Sequence, residues 1–207
     1  METNLKGLRF SYFSLAAFAL VVTSILLIDL PLSELIANYV KAFSPHIYSS
    51  EIPDLLTITV VILTALSWSA YFYLARQKIN NHHKFFFCVT GIVLPFSDGI
   101  KITLKWIFGR TNTRTWLSNH GSYGFHWFAG TGDFQGFPSG HMLVLTPLFL
   151  ALWHFYPRYR RYYEVIWLCL AVALIVTEYH FLSDVLAGIY TGVAIYLFVS
   201  MRLGDAS

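Results

Sequence analysis

The sequence predicts an all-α integral membrane protein built as one bundle of about six transmembrane helices. Of its 207 residues, 56% are hydrophobic and only 12% are charged. A soluble domain of this size carries roughly twice that charged fraction. The apolar residues fall in long runs separated by short polar segments, the pattern expected of helices that cross a bilayer. Because no internal repeat is found, a single transmembrane domain is predicted over residues 1–207.

Six apolar runs are predicted to span the membrane. They are residues 10–28, 55–74, 85–108, 140–156, 163–179 and 182–201. Asp29 and Pro31 are expected to end the first run, and residues 31–54 to form an extracytoplasmic loop that contains a short interfacial helix. Residues 109–139, which are polar and rich in glycine, are expected to form a second extracytoplasmic loop.

The basic residues predict how the chain is oriented. If the N-terminus is cytoplasmic, nine lysines and arginines fall on that side of the membrane and five on the other. Both termini are then cytoplasmic. Four of the five outer residues cluster at one place, which suggests a role beyond topology: Lys101, Lys105, Arg110 and Arg114. We therefore expect a multi-pass protein of the cell (inner) membrane with its active site on the extracytoplasmic, periplasmic side.

Charge and cysteine content argue against several other classes of protein. The net charge of +3 is small and no long basic run is present, so no nucleic-acid partner is expected. Cys88 and Cys169 lie inside apolar runs and are interpreted as core residues rather than a disulfide or metal pair. No acidic cluster suited to magnesium is present, so neither a metal nor another cofactor is predicted.

The first polar grouping that could carry chemistry lies at the end of the third run. Asp98, Lys101 and Lys105 are spaced three and four apart and share one helix face. Ionisable residues so close to hydrocarbon often mark a functional cavity, and Lys105 with Arg110 would attract an anion. The alternative for Lys101 is a lysine that extends to the membrane surface without a further role.

The second grouping, residues 137–141, directly precedes a spanning run. Proline fixes the chain, Ser139 can cap the helix, and Gly140 lets the backbone approach a ligand closely. Unpaired N–H groups at a helix start bind anions, and His141 in the first turn could protonate a leaving oxygen. An ordinary helix cap is the alternative.

The third grouping is His180 and Asp184, four residues apart at the start of the last run. The carboxylate could hold one imidazole nitrogen and leave the other as a nucleophile. The alternatives are a satisfied polar pair, or a zinc site completed by His141, which the cationic neighbours disfavour. Together the three groupings supply cations, backbone donors, a nucleophile and a general acid for metal-independent phosphoryl transfer.

These motifs resemble the type 2 phosphatidic acid phosphatase family of membrane lipid phosphatases and acid phosphatases. The family signature has three parts, K-x6-R-P, P-S-G-H and S-R-x5-H-x3-D. The second is complete here as residues 138–141, and the third is present as His180 with Asp184. The resemblance covers about residues 85–200.

The sequence departs from this signature at two places. Seven residues after Lys105 the signature has Arg-Pro, where this chain has Asn112 and Thr113, and the nearest arginine is Arg110. Leu174 stands where the third motif has arginine. Arg114 is the candidate that could replace the missing charge.

The resemblance implies a role for each site residue. His180 would form a phosphohistidine, Asp184 would polarise it, and His141 would protonate the departing lipid oxygen. The phosphate would be held by Lys105, Ser139 and Gly140, with Arg110 and Arg114 as further candidates.

The function expected from these residues is that of a lipid phosphatase, a metal-independent phosphoric ester hydrolase of phospholipid metabolism. Its partners would be a lipid phosphate or pyrophosphate and the surrounding membrane lipids. Two alternatives remain open at this point. The phosphohistidine could pass its phosphate to another lipid, or the protein could bind or transport lipids without catalysis. The oligomeric state is not predicted.

Overall fold

The structure, a computed structural model, describes residues 2–43, 55–78, 82–119 and 123–204. Throughout these ranges the regular elements are helical, which confirms the predicted all-α class. The helices are α1 (Glu2–Thr23), α2 (Asp29–Phe43), α3 (Leu55–Arg76), α4 (His82–Phe108), α5 (Thr113–Asn119), α6 (Gly140–Phe155), α7 (Arg160–Val176) and α8 (Leu182–Leu203).

The bundle is that of a membrane protein. Four helical stretches are long and apolar enough to cross a bilayer, namely Phe10–Tyr39, α3, α4 and α8. The helices α6 and α7 are shorter, with 16 and 17 residues. Large hydrophobic side chains on α1, α3 and α7 point outward, as lipid-facing side chains do. Cys169 is also exposed, so its interpretation as a core residue is wrong.

The first helix does not end where the sequence predicted. A π turn, Ser24–Ile28, joins α1 directly to α2, so residues 31–43 are helical rather than part of a loop. The backbone N–H of Asp29 donates to the carbonyl of Ser24 and closes this wider turn. Because π turns relax the regular hydrogen-bond ladder, Pro31 is tolerated just beyond it. The remainder of the expected loop, residues 44–54, lies outside the described residues.

Helices α6 and α8 approach each other closely through two glycines of α8. A Cβ atom on Gly188 would lie 2.6 Å from the carbonyl oxygen of Ser139. A Cβ atom on Gly192 would lie 2.8 Å from Cβ of Thr146 and 2.9 Å from Cδ of Pro147. Small residues allow such backbone contact between membrane helices. The start of α8 is therefore held directly against the start of α6.

A small apolar cluster covers the end of the bundle where α6 and α8 begin. It consists of Ala37 from α2, Trp116 and Leu117 from α5, and Phe181 from the segment before α8. We refer to these four residues as the cap cluster. The cluster therefore joins α2 and α5 to the residue that follows the predicted nucleophile, His180.

The predicted loop of residues 109–139 contains α5 and folds back onto the end of α4. The N–H of His126 donates to the carbonyl of Gly109 at 2.9 Å, and the N–H of Gly136 donates to that of Arg110 at 2.8 Å. Gly109 has a φ of +52°, which favours glycine, and a Cβ atom there would lie 1.9 Å from the carbonyl oxygen of His126. The glycines of this segment thus allow it to pack tightly on α4.

We expect Gly192→Ala to destabilise the protein, because the added methyl group would force α6 and α8 apart. Over-packing of this kind costs about 1–3 kcal/mol. Thermal unfolding in detergent, followed by circular dichroism, measures the effect. Gly99→Ala on α4 is the matched control, since a Cβ atom there meets nothing within 4 Å. Equal melting temperatures for the two variants would contradict the close contact.

Candidate active site

The predicted nucleophile, His180, is buried in the short segment between α7 and α8. Its side chain is 3% exposed, and Nδ1 lies 3.7 Å from Oδ2 of Asp184. The N–H groups of Tyr179 and His180 both donate to the carbonyl of Leu174, and Oδ2 of Asp184 accepts the N–H of Phe181 at 3.0 Å. The backbone on both sides of the imidazole is therefore fixed by hydrogen bonds.

The surroundings of His180 favour its neutral form. Burial lowers the pKa of His180 below its ordinary value of 6.5, and the positive charge of Lys105 acts in the same direction. Asp184 has the opposite effect, through its charge and its contact with the ring. A neutral imidazole has a lone pair available for attack on phosphorus, so this environment suits a nucleophile.

The start of α6 lies beside this histidine. The N–H of Ser139 donates to the carbonyl of Asp184 at 2.9 Å, which ties the P-S-G-H motif to the first turn of α8. The hydroxyl of Ser139 does not cap its helix. It is buried and has no hydrogen-bond partner among the described residues. The hydroxyl and the helix N–H groups could therefore serve a ligand.

His141 reaches the same region from the first turn of α6. Its ring centroid lies 5.6 Å from that of Tyr179, and the ring of Tyr179 lies 5.2 Å from that of His180. The two histidines therefore flank one tyrosine. The structure thus brings together His141 and His180, which are 39 residues apart in the sequence.

The two lysines of α4 lie across the start of α6. A Cβ atom on Gly140 would lie 2.8 Å from Cδ of Lys101 and 3.5 Å from Cε of Lys105. Lys101 is buried, forms an ion pair with Asp98 at 2.6 Å, and donates to Thr57 at 2.9 Å. The alternative interpretation, in which Lys101 extends to the membrane surface, is therefore wrong. Lys105 is the lysine of this helix whose charge acts on His180.

Arg110, which the sequence suggested as a phosphate ligand, is surrounded by side chains of the protein itself. Its side chain is fully buried, Nη1 donates to Ser183 and to Asp184 at 2.6 Å, and Nη2 donates to Asp29 at 2.7 Å and Tyr123 at 2.8 Å. Burial alone would lower the pKa of this guanidinium, but the charges of Asp184, Tyr123 and Asp29 outweigh burial and raise it. All four Nη hydrogens are taken by protein oxygens, and Nε has no hydrogen-bond partner among the described residues. The expected contact of Arg110 with phosphate stays a prediction.

Two of these partners, Asp29 and Tyr123, were not predicted from the sequence. Asp29 did carry a signal, since an acidic residue at the end of an apolar run often has a function, but the same residue also predicts a helix end. Tyr123 carried no signal, because tyrosine is common at membrane surfaces. Their roles depend on long-range contacts.

Arg114 lies on α5 at the edge of the site. Its guanidinium donates to the carbonyl of Thr177 at 3.1 Å and lies 5.3 Å from the ring centroid of Tyr179. Leu174, at the position of the missing arginine, is buried in an apolar cluster instead. The structure therefore places Arg114 next to the tyrosine shared by the two histidines.

A metal site made by His141, His180 and Asp184 is not supported by the geometry. The two oxygens of Asp184 are directed at Arg110 and at the N–H of Phe181. Among the side chains in the described ranges, no group of three or more His, Cys, Asp or Glu residues is placed to hold a metal ion.

The site lies inside a region shared with known proteins. A family model described as the PAP2 superfamily matches residues 85–205. The chain belongs to the PAP2 superfamily. The match runs from α4 to the end of α8 and includes His180, His141 and Lys105. Membership of this superfamily confirms the predicted resemblance. Asp29 lies outside the matched region.

Two curated relatives are both described as lipid A 1-phosphatase. The protein from Rhizobium etli is 31% identical over 97 residues, which cover 47% of this chain and 41% of the relative. The protein from Rhizobium johnstonii is 31% identical over 97 residues, covering 47% and 39%. The chain thus matches about two-fifths of the length of these relatives. No solved structure matches.

We expect the imidazole of His180 to titrate below pH 6.5, because burial disfavours its charged form. Nuclear magnetic resonance of protein labelled in its histidine rings and held in detergent micelles measures this pKa. The spectrum of His180→Gln assigns the signal. A midpoint at or above 6.5 would contradict the environment described for this residue.

Proposed function

We propose that this protein is a membrane lipid phosphatase that removes a phosphate from a lipid phosphate or pyrophosphate through a phosphohistidine at His180. The observation that carries the proposal is that His180 is grouped with Asp184, Lys105, His141 and the start of α6. His180 is buried, and its surroundings favour the neutral imidazole. Membership of the PAP2 superfamily and the lipid A 1-phosphatase relatives also support it.

In the first step, a ring nitrogen of His180 attacks the phosphorus atom. A nitrogen–phosphorus bond forms as the bond from phosphorus to the lipid oxygen breaks, and His141 protonates that oxygen as it leaves. Lys105 and the N–H groups at the start of α6 stabilise the negative charge on the other phosphate oxygens. Asp184 stabilises the positive charge that develops on the imidazole.

In the second step, water attacks the phosphorus atom of the phosphohistidine. His141, now neutral, takes a proton from this water, while the nitrogen–phosphorus bond breaks and inorganic phosphate leaves. The neutral form of His180 is restored. The two steps together need no metal and no redox partner.

We propose that the site lies on the extracytoplasmic side of the cell (inner) membrane and that both termini are cytoplasmic. The distribution of lysine and arginine along the sequence supports this orientation. Trp127 and Phe128 are both about three-fifths exposed. At the end of α4, the ring of Phe128 contacts that of Trp106 and the ring of Trp127 contacts that of Phe108. Aromatic side chains of this kind sit at headgroup level, where a lipid phosphate would be presented.

Replacement of the nucleophile tests the proposal directly. We expect His180→Ala to abolish phosphate release from lipid A phosphates, phosphatidic acid, phosphatidylglycerophosphate or polyprenyl pyrophosphate, whichever the wild type hydrolyses. Release of inorganic phosphate is measured with purified protein in detergent. His154→Ala, at an exposed position on α6, is the matched control and should retain activity.

Three outcomes separate the possible functions. Phosphate release that depends on His180 supports hydrolysis. Transfer of labelled phosphate to a second lipid with little release would instead indicate a phosphotransferase. A wild type that equals His180→Ala in both assays would overturn the catalytic proposal and favour a lipid-binding or transport protein.

Arg114 is proposed to contribute to phosphate binding in place of the arginine absent at Leu174. We expect Arg114→Ala to raise KM by about tenfold, the loss of one charge-assisted hydrogen bond, and Arg114→Lys to raise it less. Steady-state phosphate release over a range of lipid concentrations measures both. Near-normal kinetics for Arg114→Ala would eliminate this role.

A further inference from the structure

Asp29 makes contacts that its place in the sequence does not explain. It lies in the first turn of α2 and is almost fully buried. Oδ1 accepts the N–H of Ser183 at 3.0 Å, while Oδ2 accepts the hydroxyl of Ser183 and Nη2 of Arg110 at 2.7 Å. Asp29 therefore contacts the residue directly before Asp184 and the cation that binds Asp184.

The π turn is what directs Asp29 at these partners. The N–H of Asp29 makes the wide hydrogen bond to Ser24 that closes the turn. One extra residue in a helical turn rotates the residues after it relative to those before it, and such turns are frequent at functional sites. The turn lies directly before the one acidic residue of this stretch that reaches the nucleophile's segment.

The charges around Arg110 do not balance, and the imbalance points toward His180. One guanidinium is bound by two carboxylates, Asp29 and Asp184, and all three side chains are buried. Taken alone, Arg110 would cancel the charge of Asp184. With Asp29 present, one excess negative charge remains in the cluster whose Asp184 lies 3.7 Å from the imidazole.

This excess charge matters because attack on phosphorus makes the imidazole positive. A buried positive charge needs a nearby negative charge. Ser183 reinforces the arrangement, since its hydroxyl accepts from Arg110 and donates to Asp29. Lys105 opposes a positive ring and the carbonyl of Gly136 favours it. The segment before His180 also carries a buried carboxylate, Glu178.

We propose that Asp29 is a positioning residue for the nucleophile. Through Arg110 and Ser183 it holds Asp184 against His180, and it supplies the negative charge that remains after Arg110 has neutralised one carboxylate. This role rests on the proposed phosphohistidine chemistry. It assigns a function to the helix that precedes the region shared with the PAP2 superfamily.

Substitution of Asp29 by asparagine removes the charge and keeps the shape. We expect Asp29→Asn to lower kcat by about tenfold, the equivalent of one pK unit, with KM little changed because Asp29 does not contact the phosphate. Tyr123→Phe, which removes one neutral acceptor of Arg110, should lower kcat by roughly twofold. Ser33→Ala is the matched control on α2, since its hydroxyl donates to the carbonyl of Leu30 in the same helix, and should leave kcat unchanged.

A second measurement does not depend on turnover. In Asp29→Asn the imidazolium of His180 loses a stabilising negative charge, so the titration midpoint of His180 should fall below that of the wild type. Ring-labelled histidine spectra in micelles report this shift, with His180→Gln for assignment. A purely structural role for Asp29 would lower the melting temperature without moving this midpoint.

The outcomes separate this proposal from the proposed function. A folded Asp29→Asn protein with unchanged kcat and an unchanged His180 midpoint would overturn the role of Asp29, while the phosphatase proposal would stand. If the wild type releases no phosphate from any lipid, the phosphatase proposal fails and the His180 midpoint still decides whether Asp29 acts on the imidazole. If Asp29→Asn does not fold, Ser183→Ala takes its place, because it removes the hydroxyl that donates to Asp29 and accepts from Arg110. An unchanged kcat and an unchanged His180 midpoint in Ser183→Ala would then overturn the proposal.

Discussion

A full positive charge lies at the end of this bundle where water does not reach it, and the protein itself supplies its four acceptors. Arg110 binds Asp29 from α2, Tyr123 from the loop after α5, and Ser183 and Asp184 from α8. Because an unpaired buried charge is very costly, the segments that carry these oxygens are held together. The first helix, whose side chains mostly face outward, is thereby linked to the segment that carries His180.

The local motifs could be predicted from the sequence because their residues are close along the chain. His180 and Asp184 are one helical turn apart, and the P-S-G-H residues are contiguous. Both motifs extend across the first residues of α6 and α8, which start side by side, so placing the helices also placed the motifs. Leu174 departs from the family signature, and in the structure it packs in an apolar cluster. This position therefore supplies no positive charge to the site.

The contacts that the sequence did not predict depend on the direction of a side chain or join residues far apart in the chain. Arg110 follows the end of α4 by two residues, and a sequence does not reveal whether a side chain there points toward a ligand or into the protein. Asp29 and Ser183 are 154 residues apart. From the sequence alone, Asp29 could end a helix or be the buried partner of another residue. The π turn that allows the helix to continue past Pro31 has no recognised sequence pattern.

The contact between Gly188 and Ser139 has a consequence for how accurately the site is built. In a bilayer, apolar side chains gain little by leaving lipid, so close backbone contact contributes much of the attraction between helices. Here that contact falls between the start of α6, which carries His141, and the first turns of α8, which follow His180. Their spacing is set by the radius of a carbonyl oxygen against a bare α-carbon. Because the contact involves backbone atoms only, side-chain rotation does not change the separation of the two helices at this point.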